Sequence, residues 1–293
     1  MTNTRTILGL AATATGDVTD LIPADTYSDR VLETLYAARK FAGIISAVKE
    51  DLTAKAGDTV QVPYMNPRTA QGPIGQGTAL VANATTTGTY PMTLAKFGDY
   101  DLVNREVFED QTIFTQEDFI NNMGSALGVK VDDLNFTALE TAVAASSETL
   151  AVAGTLTDLY DQVVELKAKM KKLNVVPTHL IVGPDQEAQF LKDTNQGIRE
   201  MQTKVNENGD LLKVAGLECI VSSLANANAS TASMVQAIVI DANRALGEAW
   251  GRRPDTTVDA VSKAESDQVK LVTWIRYTCA ALDLKAIGHI KNP

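Results

Sequence analysis

The stretch GDTVQVPYMNPRTAQGPIGQGTALVANATTTGTYPMTLAKF, residues 57–97, decides how the rest of this 293-residue chain is read. Gly57-Asp58 is a turn signal. Val60, Val62 and Tyr64 then alternate with Thr59, Gln61 and Pro63, which is the two-residue period of a strand. Tyr90, Met92 and Leu94 restore that alternation and lead to Phe97. From Thr69 to Ala95 there is no Asp, Glu, Lys or Arg. Gly72, Gly75, Gly77 and Gly88 punctuate the stretch, and Thr85, Thr86, Thr87 and Thr89 crowd its end. Flexible linkers are Gly/Ser-rich or charged and do not keep alternating strands at both ends. The segment reads as a long β-hairpin with an irregular, uncharged tip.

An arm of about 10 strand residues reaches about 33 Å. A compact chain of this length has a radius of gyration of about 19 Å, so the hairpin is expected to project from its own body. A lone two-stranded hairpin is marginal in water. Lying on a neighbouring copy would stabilise it, and the absence of charge removes the desolvation cost of docking there. An internal lid and a disordered insert are the alternatives. The candidate intersubunit contacts are Pro63, Arg68, Gly72, Gly75, Gly77, Tyr90 and Pro91.

Outward from the hairpin, residues 1–27 show no periodicity and read as a tail or arm. Ser28 suits an N-cap, and Val31, Leu35, Ala38, Ala42 and Ile45 then recur on one helical face. Thr115-Gln-Glu-Asp118 is a capping box that opens a helix lasting to about Ser146. Its stripe is Phe119, Met123, Leu127, Val131, Leu134, Ala138 and Ala142, with a kink expected near Gly124 or Gly128. Thr155-Leu-Thr-Asp158 caps a further helix with the stripe Leu159, Val163, Leu166, Met170 and Leu173. His179 to Val182 reads as a buried strand, and Pro184 starts a helix to about Lys192. Residues 197–210 and 226–230 read as loops. Leu217 to Val221, Ala237 to Ile240, Thr256 to Val261, Gln268 to Tyr277 and Leu282 to Ile290 read as strands. Helices and strands mix without regular βαβ alternation, which is an α+β chain.

Composition and motifs exclude more than they assign. Hydrophobic residues are 45%, charged residues 21% and the net charge is −10, which gives no general attraction to nucleic acid or anionic membranes. No apolar run approaches the about 18 residues that span a bilayer. Cys219 and Cys279 lie in apolar runs and read as free buried thiols, in keeping with a reducing cytoplasm. The phosphate-cradling GxxxxGK[ST] pattern is absent, so Ala237 to Asp241 reads as a strand ending in a turn-forming Asp. GxSxG is absent, and His179 and His289 have no second ligand at metal spacing. Lys167, Lys169, Lys171 and Lys172 suit a helix C-terminus. Asp132-Asp133 and Glu109-Asp110 have no partner base in sequence and read as surface or interface charge. No catalytic residue, metal site or cofactor is assigned.

The order of these parts resembles the major capsid protein of tailed bacteriophages, the Hong Kong 97-type fold shared with encapsulin nanocompartments. Ser28 to Val48 is similar to that family's arm helix, Gly57-Asp-Thr-Val-Gln-Val-Pro63 to the opening of its extended loop, and Thr115 to Ser146 to its spine helix. Thr178 to Asp185 looks like its strand entering a helix. Val214 to Val221 looks like the strand after its variable loop, and Ala237 to Asp241 with Val269 to Ile290 like its late sheet strands. The resemblance implies an N-terminal arm at 1–50, an extended β-hairpin loop at 51–98 and a peripheral domain with the spine helix at 99–154. It further implies a mainly axial domain at 155–252, peripheral return strands at 253–276 and a closing axial strand at 277–293. It implies a non-enzymatic subunit, made in the bacterial cytoplasm, that joins hexamers and pentamers of an icosahedral virion shell. Packaged double-stranded DNA would be held non-specifically on the inner face, with portal, scaffolding or decoration proteins as further partners and no membrane. About 27 residues precede the arm helix, so the fused scaffold domain of some relatives is expected to be absent. An encapsulin-like compartment and a soluble α+β enzyme with a glycine-rich lid are the rival readings.

Overall fold

The computed structural model describes residues 29–35, 39–41, 44–49, 59–65, 68, 70–106, 116–145, 151–153, 159–192, 204–205, 211–226, 235–259, 261–262 and 264–291. Two sheets share one long helix. Helix α1 covers residues 29–35. Strands β1 (Ser46–Lys49), β2 (Thr59–Met65), β3 (Thr87–Thr93) and β4 (Ala95–Asn104) follow, and then helix α2 (Gln116–Ala145). The middle of the chain gives β5 (Ala151–Ala153), α3 (Leu159–Lys172), β6 (His179–Val182) and α4 (Pro184–Lys192). It continues with β7 (Lys204–Val205), β8 (Leu211–Val214) and β9 (Leu217–Val221). The last strands are β10 (Val235–Ile240), β11 (Leu246–Asp259), β12 (Gln268–Ala281) and β13 (Ile287–Lys291).

The smaller sheet has the order β1-β11-β12-β4, and the larger the order β5-β13-β10-β6-β9-β8-β7. Among the described residues, strands β2 and β3 pair with each other alone. Helix α2 has 30 residues and spans about 45 Å. Its first half buries Ile120, Leu127 and Val131 against α1 and the smaller sheet. Its second half buries Phe136, Leu139 and Val143 in the core of the larger sheet. The buried face is therefore wider than the expected stripe, because two cores use it. Helix α2 is assigned without a break at Gly124. A Cβ there would stand 2.9 Å from the Val31 carbonyl oxygen and 2.8 Å from Thr34 Oγ1, so the glycine admits α1 at close range.

The arm departs from its expected helix. Residues 29–35 are helical, but the chain reaches β1 at Ser46 and pairs parallel with β11. The cause lies on α2: the Asp132 carboxylate accepts the N–H groups of Lys40 and Phe41, which a continuing helix would bond internally. Other boundaries move as well. Within the loop expected at 197–210, Lys204–Val205 forms β7 against β8. Strand β11 begins at Leu246, so 246–252 belong to the smaller sheet rather than with 155–245. Strand β12 runs on to Ala281, so a boundary at 277 cuts a strand. The expected strand 282–290 is a short 3₁₀ turn, Leu284–Ala286, followed by β13. Asp241 ends β10 as expected, accepting the Asn243 N–H at 3.1 Å. Residues 1–28, Glu109-Asp110 and the cap Thr155 to Asp158 lie outside the described residues.

Candidate assembly surface

The hairpin is rooted on its own subunit. Val60, Met92 and Leu94 are buried with Ala249, and Val62, Ala280 and Leu282 pack against them. Leu94 marks the break between β3 and β4 and sits over Gly251, where a Cβ would stand 2.8 Å from Leu94 Cδ1. Beyond this root, every residue from 70 to 87 is exposed. The strands have seven residues each, about 23 Å, so the stem is shorter than the expected arm of about 33 Å.

The stem carries three of the expected contact residues. Pro63 faces Thr89 and Pro91 faces Gln61. These positions share one parity along the ladder, and neither proline has an N–H to donate to it. Both prolines are exposed. Tyr90 is half-buried and stacks on Tyr64, with ring centroids 4.4 Å apart. Tyr64 covers Gly88 across the ladder, where a Cβ would meet the ring at 2.5 Å. Burial first, and then Tyr64 and Asp283, push the Tyr90 phenol above its ordinary value.

The tip holds its own shape with polar side chains. Gln71 Nε2 donates to the Val81 carbonyl at 2.7 Å, and Val81 N–H donates to Gln71 Oε1 at 3.1 Å. A primary amide offers one acceptor and a donor pair, so Gln71 serves Val81 as a strand neighbour would. Gln71 Nε2 also lies 3.2 Å from Asn83 Oδ1. Arg68, one of the expected contact residues, donates to the Asn83 carbonyl of the same tip. Gly75 accepts the Thr78 N–H at 3.1 Å, and Gly77 takes the positive φ of +82° that this turn needs. Gly72 is exposed nearby. With these polar groups tied to one another, Leu80 is 71% and Val81 73% exposed, and Ile74 and Met65 are exposed as well. The sequence reading missed Gln71, Asn83 and these four apolar residues. The absence of charge was the available signal, but which side chains tie the tip depends on its fold.

The arm is held by the opposite chemistry. Arg39 pairs with Glu248 at 2.8 Å, its side chain almost fully enclosed. Tyr277 Oη is 2.6 Å from Asn135 Oδ1 and 3.1 Å from Glu248 Oε2. Trp250 lies edge-on to Tyr277 and 5.8 Å from the Arg39 guanidinium. Asp132, expected as surface or interface charge, is buried and receives Lys40 N–H at 2.5 Å. Burial raises its pKa, and the hydrogen bonds from Lys40 and Phe41 oppose that rise. Asp133 does lie at the surface, paired with Lys130.

No reactive constellation accompanies these surfaces. An open groove of about 430 Å³ between α2 and the smaller sheet is lined by residues such as Phe97, Leu134 and Ala138, with no charged side chain. Tyr277 and Cys279 border it. Desolvation pushes the tyrosine well above its ordinary value and the thiol up to about 12, so neither supplies an anion near neutrality. Cys219 is likewise pushed up to about 12 by burial and then Glu187. His179 rests between Thr178 Oγ1 at 2.8 Å and Glu218 at 3.3 Å. Lys167 donates to the Ala215 carbonyl, and burial lowers its pKa, followed by repulsion from Lys171. Among the described residues, no group of three or more His, Cys, Asp or Glu could hold a metal ion, and no helix is long and apolar enough to cross a membrane.

The architecture is shared with phage heads. The chain is similar to a capsid structure of cyanophage P-SCSP1u at 15% identity, covering 86% of this chain and 88% of that one, with a TM-score of 0.67. Mycobacterium phage Cain gives 14% identity, 87% and 90% coverage and a TM-score of 0.64. Microbacterium phage Oxtober96 gives 13%, 97% of each chain and 0.63. No curated protein matches the sequence. The family model described as phage capsid protein matches residues 87–290. That match spans well over half of the 293 residues, and the chain belongs to the phage capsid protein family, with the Hong Kong 97-type fold and the structural role of a major capsid protein.

Proposed function

We propose that this subunit closes into an icosahedral head of hexamers and pentamers through its hairpin, which lies on the neighbouring copy. The observation that carries this is the tip: polar groups tied to one another, apolar side chains turned out, and an exposed run from 70 to 87. Such a surface gains by being covered. Pro63, Tyr90 and Pro91 on the stem, and Gly72, Gly75 and Gly77 in the tip, meet the neighbour. Arg68 shapes the tip from within. The smaller sheet with α2 is the peripheral domain, and the larger sheet is the axial domain. Each contact repeats around a ring, so modest contacts add through effective concentration. The subunit has no catalytic role. It is made in the bacterial cytoplasm and encloses double-stranded DNA held by the closed wall, with portal, scaffolding or decoration proteins completing the head.

The test replaces residues 70–86 by a short glycine linker. Circular dichroism and thermal unfolding should match the parent, because the tip is exposed throughout, while electron microscopy should show free subunits and no shells. Normal shells from the shortened protein would overturn the hairpin reading.

A further inference from the structure

Strand β4 is, among the described residues, the outermost strand of the smaller sheet, with ten residues along its outer side. A long unpaired edge of this kind invites a strand from another chain. Its hydrogen-bond parity can be read from one contact. Arg105 N–H donates to the Asp267 carbonyl at 3.0 Å, and the register from Gln268↔Asn104 to Tyr277↔Ala95 carries no shift. Antiparallel ladders alternate. Odd-numbered residues of β4 therefore turn their N–H groups toward β12, and the even-numbered Lys96, Gly98, Tyr100 and Leu102 turn theirs outward.

Asn104, at the end of the strand, turns its N–H the same way, and two of these five outward donors are taken. Asp99 Oδ1 accepts the Tyr100 N–H at 2.9 Å, and Asp101 Oδ1 accepts the Leu102 N–H at 2.8 Å. We infer that Asp99 and Asp101 cap the outer edge of β4 and bar strand addition there by a second copy of this chain. A capped donor is unavailable to an incoming carbonyl, and each carboxylate sets a negative charge in that carbonyl's path. Farther along, Asn104 Oδ1 is taken by Gln268 Nε2 at 2.8 Å. The device matters for a protein crowded among identical copies. Edge-to-edge pairing of two like edges would compete with the ring-forming contacts, because such a two-fold contact closes as a dimer and leaves no ring.

The test uses the full chain, held below its assembly concentration, beside Asp99→Ala/Asp101→Ala and Asp99→Asn/Asp101→Asn. Sedimentation velocity and amide hydrogen exchange are the readouts. The alanine pair should self-associate at least about tenfold more tightly, as two freed donors per chain would allow. Its Tyr100 and Leu102 amides should gain protection as it associates. The asparagine pair, whose side-chain oxygens still accept, should stay near the parent. The inference is overturned if the alanine pair associates no more tightly than the parent, if the new protection lies off β4, or if the asparagine pair behaves like the alanine pair. These readouts lie on β4, so they are independent of whether the hairpin holds shells together.

Discussion

The hairpin tip and the arm segment around Arg39 both leave the regular sheets, and they are held in opposite ways. The arm is fastened by charge to its own subunit: Arg39 to Glu248, and the backbone of Lys40 and Phe41 to Asp132. The tip is tied to itself through the neutral amide of Gln71 and the Arg68–Asn83 contact, and turns Leu80 and Val81 to solvent. Buried ionic groups need fixed partners in the same fold. A surface that must dock later does better without charge to desolvate. Charge thus fastens the arm to its own subunit, and the exposed, mostly uncharged tip is the surface proposed above for assembly.

The largest break in this contrast comes from Arg39→Ala, which strands Glu248 beside Tyr277 without its cation. The free subunit should lose about 3–5 kcal/mol in chemical unfolding. A loss near that of a surface substitution would mean the arm is not fastened by this pair. Asp132→Ala, which removes the acceptor for two N–H groups, should lose about 2 kcal/mol.

Asp132 also gives a pH signature. Its pKa is raised above 3.8 in the folded state, so the folded chain holds that proton more tightly. Its contribution to stability therefore falls as pH rises from 3.8 through the raised folded value. Asp132→Asn should flatten that part of the stability profile while keeping one acceptor. An unchanged profile would assign the slope to other carboxylates.

Gly251→Ala tests the root that joins the two regimes. The added Cβ pushes on Leu94 and should cost about 1 kcal/mol, with Leu94→Val in the same chain recovering most of it. If the single variant loses nothing, the root yields freely and does not set the hairpin's direction. The smallest effect belongs to the tip. Leu80→Ser/Val81→Ser should change subunit stability by no more than about 0.5 kcal/mol, yet reduce shell yield in electron microscopy. Equal damage to stability would show that the tip is packed on its own body.

Much of the fold was legible where one residue pattern had one local meaning. The alternation at Val60 to Tyr64 and Tyr90 to Leu94, the capping box before α2 and Pro184 at the start of α4 each located an element. The arm misled because Val31 to Ile45 keeps helical spacing, while the acceptor that takes the Lys40 and Phe41 N–H groups sits on Asp132, far along the chain. Asp132 read as surface charge for the same reason, since its neighbour Asp133 is one.

By itself the sequence determined most strands and helices outside the arm, that the finger carries no charge, and that no nucleophile, metal cluster or phosphate cradle is written in contiguous residues. These follow from local periodicity and from residue chemistry at short spacing. Only the tertiary structure decided that Arg39, Asn135, Glu248 and Tyr277 meet in one knot, that Gln71 braces Val81, and that Asp99 and Asp101 face an open edge. Each of those depends on which strand ends a sheet or which helix crosses the arm, and long-range packing sets that rather than neighbouring residues.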